Sequence, residues 1–372
     1  MNRKEDKRGL LKKRRMSIQR KFIVTLVLIF LFLYGIFNIP LPYYIYMPGS
    51  AERIKPMMEV NKGYPEEKGA FYLTTVLMSN TNVVNYVLAL LDPNKELQTK
   101  KSVLRGQSQA EYSQRQVTVM QASQSNAMAA AYKKAGVPFH IESQAVLVQQ
   151  LTPGLPAEKK LKIGDSIMRV NDKPVKSTAE LKDALKDKKA GDTVKITYKR
   201  EVGQEPQTID VQLGELPANP DTGEKKAGLG VLLVDLQAVK SDEEDKQIKM
   251  HVSDIGGPSA GLMFSLEMYN QLVPEDITKG YRIAGTGEID PEGHVGVIGG
   301  IQHKIVAADE VGAEIFFAPK DYIAEDGTKV PNYTVAVQKA KEIGTKMKIV
   351  EVATIDDALQ YLASLPPKEE QK

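Results

Sequence analysis

Eighteen successive residues without a charge, Phe22 to Ile39, set the first constraint on how this chain folds. In water so long an apolar run needs covering along its whole length. A bilayer supplies that cover, because a helix of roughly 20 residues spans its hydrocarbon core. Leu41 to Met47 extend the apolar length, so a transmembrane helix is expected over residues 22–44, with the following tyrosines suited to a membrane–water interface. A cleaved signal peptide is the rival reading. Its apolar core is normally shorter and ends in a small-x-small site, where this chain has Pro40-Leu-Pro-Tyr-Tyr. Residues 1–21 carry ten Lys and Arg against Glu5 and Asp6, a local +8 that leaves about −5 for the rest of a chain of formal charge +3. A basic tail before an apolar span predicts a cytoplasmic N-terminus, with residues from about 45 onward outside. The same electrostatics would hold the tail to anionic lipid. Because the positive charge sits in the tail and not on the fold, nucleic-acid binding is not expected.

The chain has 372 residues, enough for two or three domains, and its 42% hydrophobic and 26% charged content is that of a globular protein. It has no cysteine, which removes disulfides, thiolate nucleophiles and Cys-ligated metals together. His140, His251, His294 and His303 are scattered without metal-ligand spacing, and no phosphate-binding G-x-x-x-x-G-K-[ST] loop appears. No cofactor and no metal are therefore expected.

After the span, residues 45–135 read as a membrane-proximal α/β segment. Phe71 to Met78 has strand composition, and Asn82 caps a helix with Val83, Val84, Val87, Leu88 and Leu91 on one face. From about 107 to 135 the sequence is rich in Gln, Ser and Ala and keeps a helical period, ended by Gly136. A structural or connecting role is the expectation there. Residues 136–215 read as a β-rich module, with one helix opened by Ser177-Thr-Ala-Glu180. Within it, Pro153-Gly-Leu-Pro-Ala157 and Leu161-Lys-Ile-Gly-Asp-Ser-Ile-Met-Arg-Val-Asn-Asp172 resemble the PDZ family. The resemblance implies a groove beside the helix at 178–186 that takes up an extended peptide as an added strand. Gly136-Val-Pro-Phe139 is the candidate for its carboxylate-binding loop. Residues 216–227 have linker composition, and Leu229 to Asp235 reads as the strand that opens the last domain.

The candidate chemistry lies in that domain. Asp254-Ile-Gly-Gly-Pro-Ser-Ala-Gly261 is a tight, side-chain-poor turn. The stretch after it carries Leu262, Ser265, Leu266, Tyr269 and Val273 at helical spacing. Ser259 thus falls at a loop-to-helix junction, where unpaired N–H groups and the helix dipole favour negative charge. It is either a nucleophile, with an oxyanion held by the backbone of Gly257, Ser259 and Ala260, or an N-cap. About 45 residues on, Lys304 shares an apolar helical stripe with Ile301, Ile305 and Ala308. Desolvation there lowers a lysine pKa toward the range of a useful base, unless the ammonium snorkels out.

Gly256-Gly-Pro-Ser-Ala-Gly261, Ala284-Gly-Thr-Gly-Glu-Ile289 and Gly293-His-Val-Gly-Val-Ile-Gly-Gly-Ile-Gln-His-Lys304 resemble the three successive motifs of the Lon-type serine protease domain, over residues 228–365. The resemblance implies a Ser–Lys dyad of Ser259 and Lys304, with Thr286 matching a threonine whose hydroxyl helps hold the lysine. Asp254 is displaced from the acidic position of many Lon-type enzymes and receives no role. Taken together, the chain resembles the membrane-anchored PDZ–Lon proteases of Gram-positive bacteria. That implies an α+β multidomain fold, with a single N-terminal transmembrane helix, a PDZ-like β-rich module, a C-terminal Lon-protease-type α/β domain and a solvated tail at 366–372. It also implies an ATP-independent endopeptidase with peptide or protein substrates, and a possible homo-hexamer. The alternatives are a Ser–His site built on His251, His294 or His303, and a non-catalytic PDZ adaptor with a degenerate protease fold.

Overall fold

The structure is a computed structural model that describes residues 18–64, 67–200, 205–216, 225–252, 255–324 and 327–368. Most of the basic tail, most of the 216–227 linker, Asp254 and the last four residues lie outside that set.

The apolar run forms α1 (Ile18–Asn38), 21 residues with none buried. At 1.5 Å per residue it is about 32 Å long, which matches a hydrocarbon core of about 30 Å. The span expected at 22–44 shifts toward the N-terminus. Pro40 has no N–H to continue a helix, and the aromatic and β-branched run after it becomes a strand, β1 (Pro40–Arg53). Tyr44 and Ile45 are buried in the fold and do not sit at an interface. β1 pairs antiparallel with β2 (Ala70–Asn82), which leads into α2 (Val83–Leu91). β3 (Glu96–Thr99) pairs with the other edge of β1, and α3 (Lys100–Leu104) follows. α4 (Gln109–Ala135) is started by a capping box between Ser108 and Glu111, and it stops at Gly136, whose left-handed φ of 69° a glycine adopts without strain.

The next part has its own core. β4 (Phe139–Leu151), β5 (Ser166–Val170), α5 (Thr178–Leu185), β6 (Thr193–Lys199), β7 (Gln207–Gln212) and β8 (Val231–Ser241) enclose Val146, Ile167, Leu181, Val194, Ile196 and Val211. The strand order is β8-β4-β5-β6-β7. Asp165, from the Gly-Asp pair of the sequence motif, is fully buried and accepts a two-point ion pair from Arg200 at 2.9 and 3.0 Å. The strand expected to open the last domain also pairs into this sheet. β8 is the edge of this sheet and pairs with β4 over its whole length, because Val231 and Leu233 complete this core.

Besides shorter strands, the last part of the chain forms α6 (Gly261–Leu272), β9 (Arg282–Gly285), α7 (Ile301–Glu310), β10 (Ile315–Pro319), α8 (Asn332–Ile343), β11 (Lys348–Val352) and α9 (Ile355–Ser364). Their strands join those of the N-terminal segment in one mixed sheet, ordered β11-β10-β9-β2-β1-β3, with β9 parallel to β2 through Ile283↔Phe71. The 45–135 segment is thus not a separate unit. Phe71, Leu73, Met120 and Ala127 pack in one core with Leu262, Phe264, Ile283 and Phe317. α6 departs from the expected amphipathic pattern in the same way. It lies between the sheet and α4, so every residue of it except Tyr269 is buried.

Candidate active site

Lys304 is 3% exposed in the first turns of α7. Its ammonium nitrogen donates to the Thr74 carbonyl of β2 and, at 3.1 Å, to Ser259 Oγ. Burial pushes its pKa down from the ordinary 10.5 to about 7, because a desolvated ammonium loses its hydration energy while the neutral amine loses little. Among the described residues no carboxylate bonds to it to oppose the shift. The snorkelling alternative does not hold for this lysine.

Ser259 is not an N-cap. α6 begins at Gly261 and is flanked by Ala260, with no side-chain cap. The serine loop is instead held from two sides. On the α4 side, the Gln116 carbonyl accepts from Gly257 N at 2.9 Å, and Ser123 Oγ donates to the Pro258 carbonyl at 2.9 Å. From the loop after β9, Thr286 Oγ1 and Gly287 N donate to the Ser259 carbonyl at 2.9 and 2.8 Å. Gly261 makes the close approach possible, since a Cβ there would stand 2.9 Å from both Ser123 Oγ and Ile289 Cγ2.

Two expectations change as a result. Thr286 holds the serine backbone, not the lysine. Gly257 leaves the oxyanion set because its N–H is committed to Gln116, a consequence of its turn at φ 89°. The N–H groups of Ser259 and Ala260 engage no acceptor among the described residues, so they remain as the pair that can hold an oxyanion. None of the histidines bonds to Ser259. His303 points from α7 toward Glu96, at 3.7 Å, and His294 bonds Asp290 at 2.7 Å. A neutral amine on a serine hydroxyl beside two free N–H groups can generate a nucleophile and stabilise the tetrahedral species that it forms.

Ser259 and Lys304 open into a cleft of about 1050 Å³. Its other walls carry Tyr46, Val76, Met78, Tyr112 and Met120, from β1, β2 and α4. These residues, and Thr74, Gln116 and Ser123, went unrecognised as site residues in the sequence. The only signal was the small, polar composition of α4, which lets it approach α6 closely.

The peptide groove of the β-rich module also takes a different form from that expected. Gly136 caps α4, and Phe139 merely begins β4. The free edge beside α5 belongs to β8, where Asp235 accepts from Thr178 N at 2.6 Å. The turn that leads into β8 is Gly228-Leu229-Gly230, with φ 76° at Gly230.

A buried, charge-isolated lysine on a serine at a helix-leading loop has the architecture of a serine–lysine peptidase site. The family comparisons agree with the class. The PDZ domain model matches residues 134–213, and that of the Lon protease (S16) C-terminal proteolytic domain matches residues 226–364. The chain thus carries a PDZ domain followed by a Lon-type proteolytic domain. Among curated proteins, the Lon protease of Metamycoplasma arthritidis is 30% identical over 125 residues, 32% of this chain and 14% of that protein. The Lon protease of Campylobacter concisus is 33% identical over 104 residues, 28% of this chain and 12% of that protein. The chain thus matches only about an eighth of the length of these relatives. Among solved structures, the PDZ domain of the SdrC-like protein of Listeria monocytogenes is 33% identical, covering 24% of this chain and 87% of that one, with a TM-score of 0.21.

Proposed function

We propose that this chain is an ATP-independent, membrane-anchored serine endopeptidase with Ser259 as nucleophile and Lys304 as general base. The observation that carries the reading is Lys304: fully desolvated, uncompensated by a carboxylate, and 3.1 Å from Ser259 Oγ. Neutral Lys304 takes the serine proton as Oγ attacks a peptide carbonyl. The Ser259 and Ala260 N–H groups hold the oxyanion. The lysine ammonium then gives its proton to the leaving amine, and in the second half it draws one from the water that releases the acyl-enzyme. No metal or cofactor enters any step. The 372 residues contain no phosphate-binding loop, so substrates would be flexible peptides or small proteins near the membrane, presented along the β8 edge beside α5. α1 would be the anchor, with the N-terminus cytoplasmic and the folded part outside. The boundaries put forward are 136–215 for the PDZ domain and 228–365 for the proteolytic domain, the latter completed by residues 40–135. A hexamer is put forward from the resemblance to Lon-type domains alone.

The test is cleavage of an unstructured protein without ATP by the detergent-solubilised full chain, with Ser259→Ala and Lys304→Ala alongside and fragments read by mass spectrometry. Cleavage by the parent alone is expected. Equal cleavage by all three would remove the dyad.

A further inference from the structure

α2 has the sequence of a core helix and the setting of a surface one. Its nine residues, Val-Val-Asn-Tyr-Val-Leu-Ala-Leu-Leu, carry no charge, yet among them only Ala89 is buried. Of the face expected to meet a core, Val83 and Val84 are half-buried, but Val87 and Leu88 are each 51% exposed and Leu91 77%, and Leu90 beside them is 65% exposed. Charged residues begin only beyond its end, where Asp92 pairs with Lys95.

The position of α2 says what covers it. β1 and β2 close their ladder at Pro40↔Asn82, so the chain leaves α1 and enters α2 at the same level. Asn82 joins the two ends directly. Its Oδ1 caps α2 by accepting from Asn85 N at 2.8 Å, while its Nδ2 donates at 2.8 Å to the Phe37 carbonyl in the last turn of α1. Ile39, 55% exposed, continues the apolar surface between the two helices. Tyr43 and Tyr86 meet edge-to-face at 5.2 Å beside this junction, the kind of amphipathic ring that favours the headgroup level.

We propose that α2 is a second membrane element: a short helix lying in the interfacial zone of the bilayer that α1 crosses, with Val87, Leu88, Leu90 and Leu91 among the acyl chains. The proposal rests on the reading of α1 as an anchor. A single spanning helix leaves the folded part free to swivel, whereas two contacts joined through Asn82 fix its tilt and height. The cleft then stands at a set distance from the surface. Tyr46 lies six residues along β1 from Pro40, about 20 Å at roughly 3.3 Å per residue. Segments of membrane proteins that emerge next to the bilayer would reach it first.

The chain contains no tryptophan, so single substitutions give unambiguous fluorescence reporters. Full-length Phe30→Trp, Leu90→Trp, Leu91→Trp and Leu232→Trp would each be placed in bilayers containing lipids brominated at defined depths. Leu91→Trp serves as the second α2 reporter, and Leu232 lies on the PDZ edge strand. The expected result is deep quenching at position 30, shallow quenching with blue-shifted emission at 90 and 91, and neither at 232. Water-like, unquenched emission at 90 and 91 with position 30 still quenched would overturn the interfacial helix and leave the anchor standing. Blue-shifted emission that no brominated lipid quenches would also overturn it, because protein, such as a second copy of this chain, would then be the cover. Absence of quenching at position 30 would show that the anchor reading itself has failed.

Discussion

The depressed pKa of Lys304 makes the most exposing prediction. An ordinary lysine at 10.5 and this one at about 7 differ by an interaction free energy of about 5 kcal/mol against the charged form. At neutral pH about half of the molecules then hold the free base, against roughly one in 3000 for an unperturbed lysine. Cleavage rate should therefore climb about ten-fold per pH unit on the acid side, bend near 7 and level off above it. The sign of the stability effect follows from the same shift. Between about 7 and 10.5 the unfolded chain binds the proton and the folded chain does not, so stability rises with pH across that window. Below it the buried ammonium carries its full cost. Lys304→Met removes that cost but leaves the Thr74 carbonyl without its donor, an offset of about 1–3 kcal/mol. The variant should be inactive, yet more stable than the parent by a few kcal/mol on the acid side, with the gap closing toward high pH. The assays are initial rates of peptide cleavage across neutral pH and denaturant melts of parent and variant in the same buffers. A rate profile that is flat, or that bends only near the ordinary lysine value, would refute the desolvated base. So would a Lys304→Met variant no more stable than the parent in acid.

Two further outcomes separate roles within the fold. Thr286→Val keeps the buried shape but removes one of two donors to the Ser259 carbonyl. It should lower kcat about ten-fold with little change in KM. A loss as large as that of Ser259→Ala, measured in the same steady-state assay, would mean that the threonine acts on the lysine after all. Arg200→Ala strands Asp165 as an unpaired buried carboxylate and should weaken the PDZ core by about 3–5 kcal/mol. Calorimetry of the full chain should show that transition moving to lower temperature while the protease transition stays, because the two cores share no residue; both moving together would contradict independent cores.

Local chemistry was legible in the chain. The charge-free run announced α1, Gly136 announced the end of α4, and the spacing of Ile301, Lys304, Ile305 and Ala308 placed a lysine on an apolar stripe. Those signals survive in one dimension because they depend on neighbours within a turn or two of helix. What the sequence left open depends on partners far along it. From its local stretch Ser259 read more readily as a cap than as a nucleophile, and only the folded chain brought Lys304 to it and started α6 two residues later. The backbone donors looked equivalent until Gln116 claimed Gly257. α2 showed a face fit for a core, and only the folded chain showed that the described residues leave Val87, Leu88, Leu90 and Leu91 exposed.

By itself the sequence determined which residues carry reactive or apolar groups, the helix ends marked by Asn82, Gly136 and Ser177, and the order of the modules. Tertiary structure alone decided that residues 40–135 complete the protease sheet, that β8 pairs along β4 as an edge of the β-rich sheet, and that the Thr74 carbonyl meets Lys304 across 230 positions of chain. The physical reason is that pairing and burial act through space. A strand chooses its sheet by the core its side chains can fill, and a lysine loses its proton only where distant segments have together excluded water.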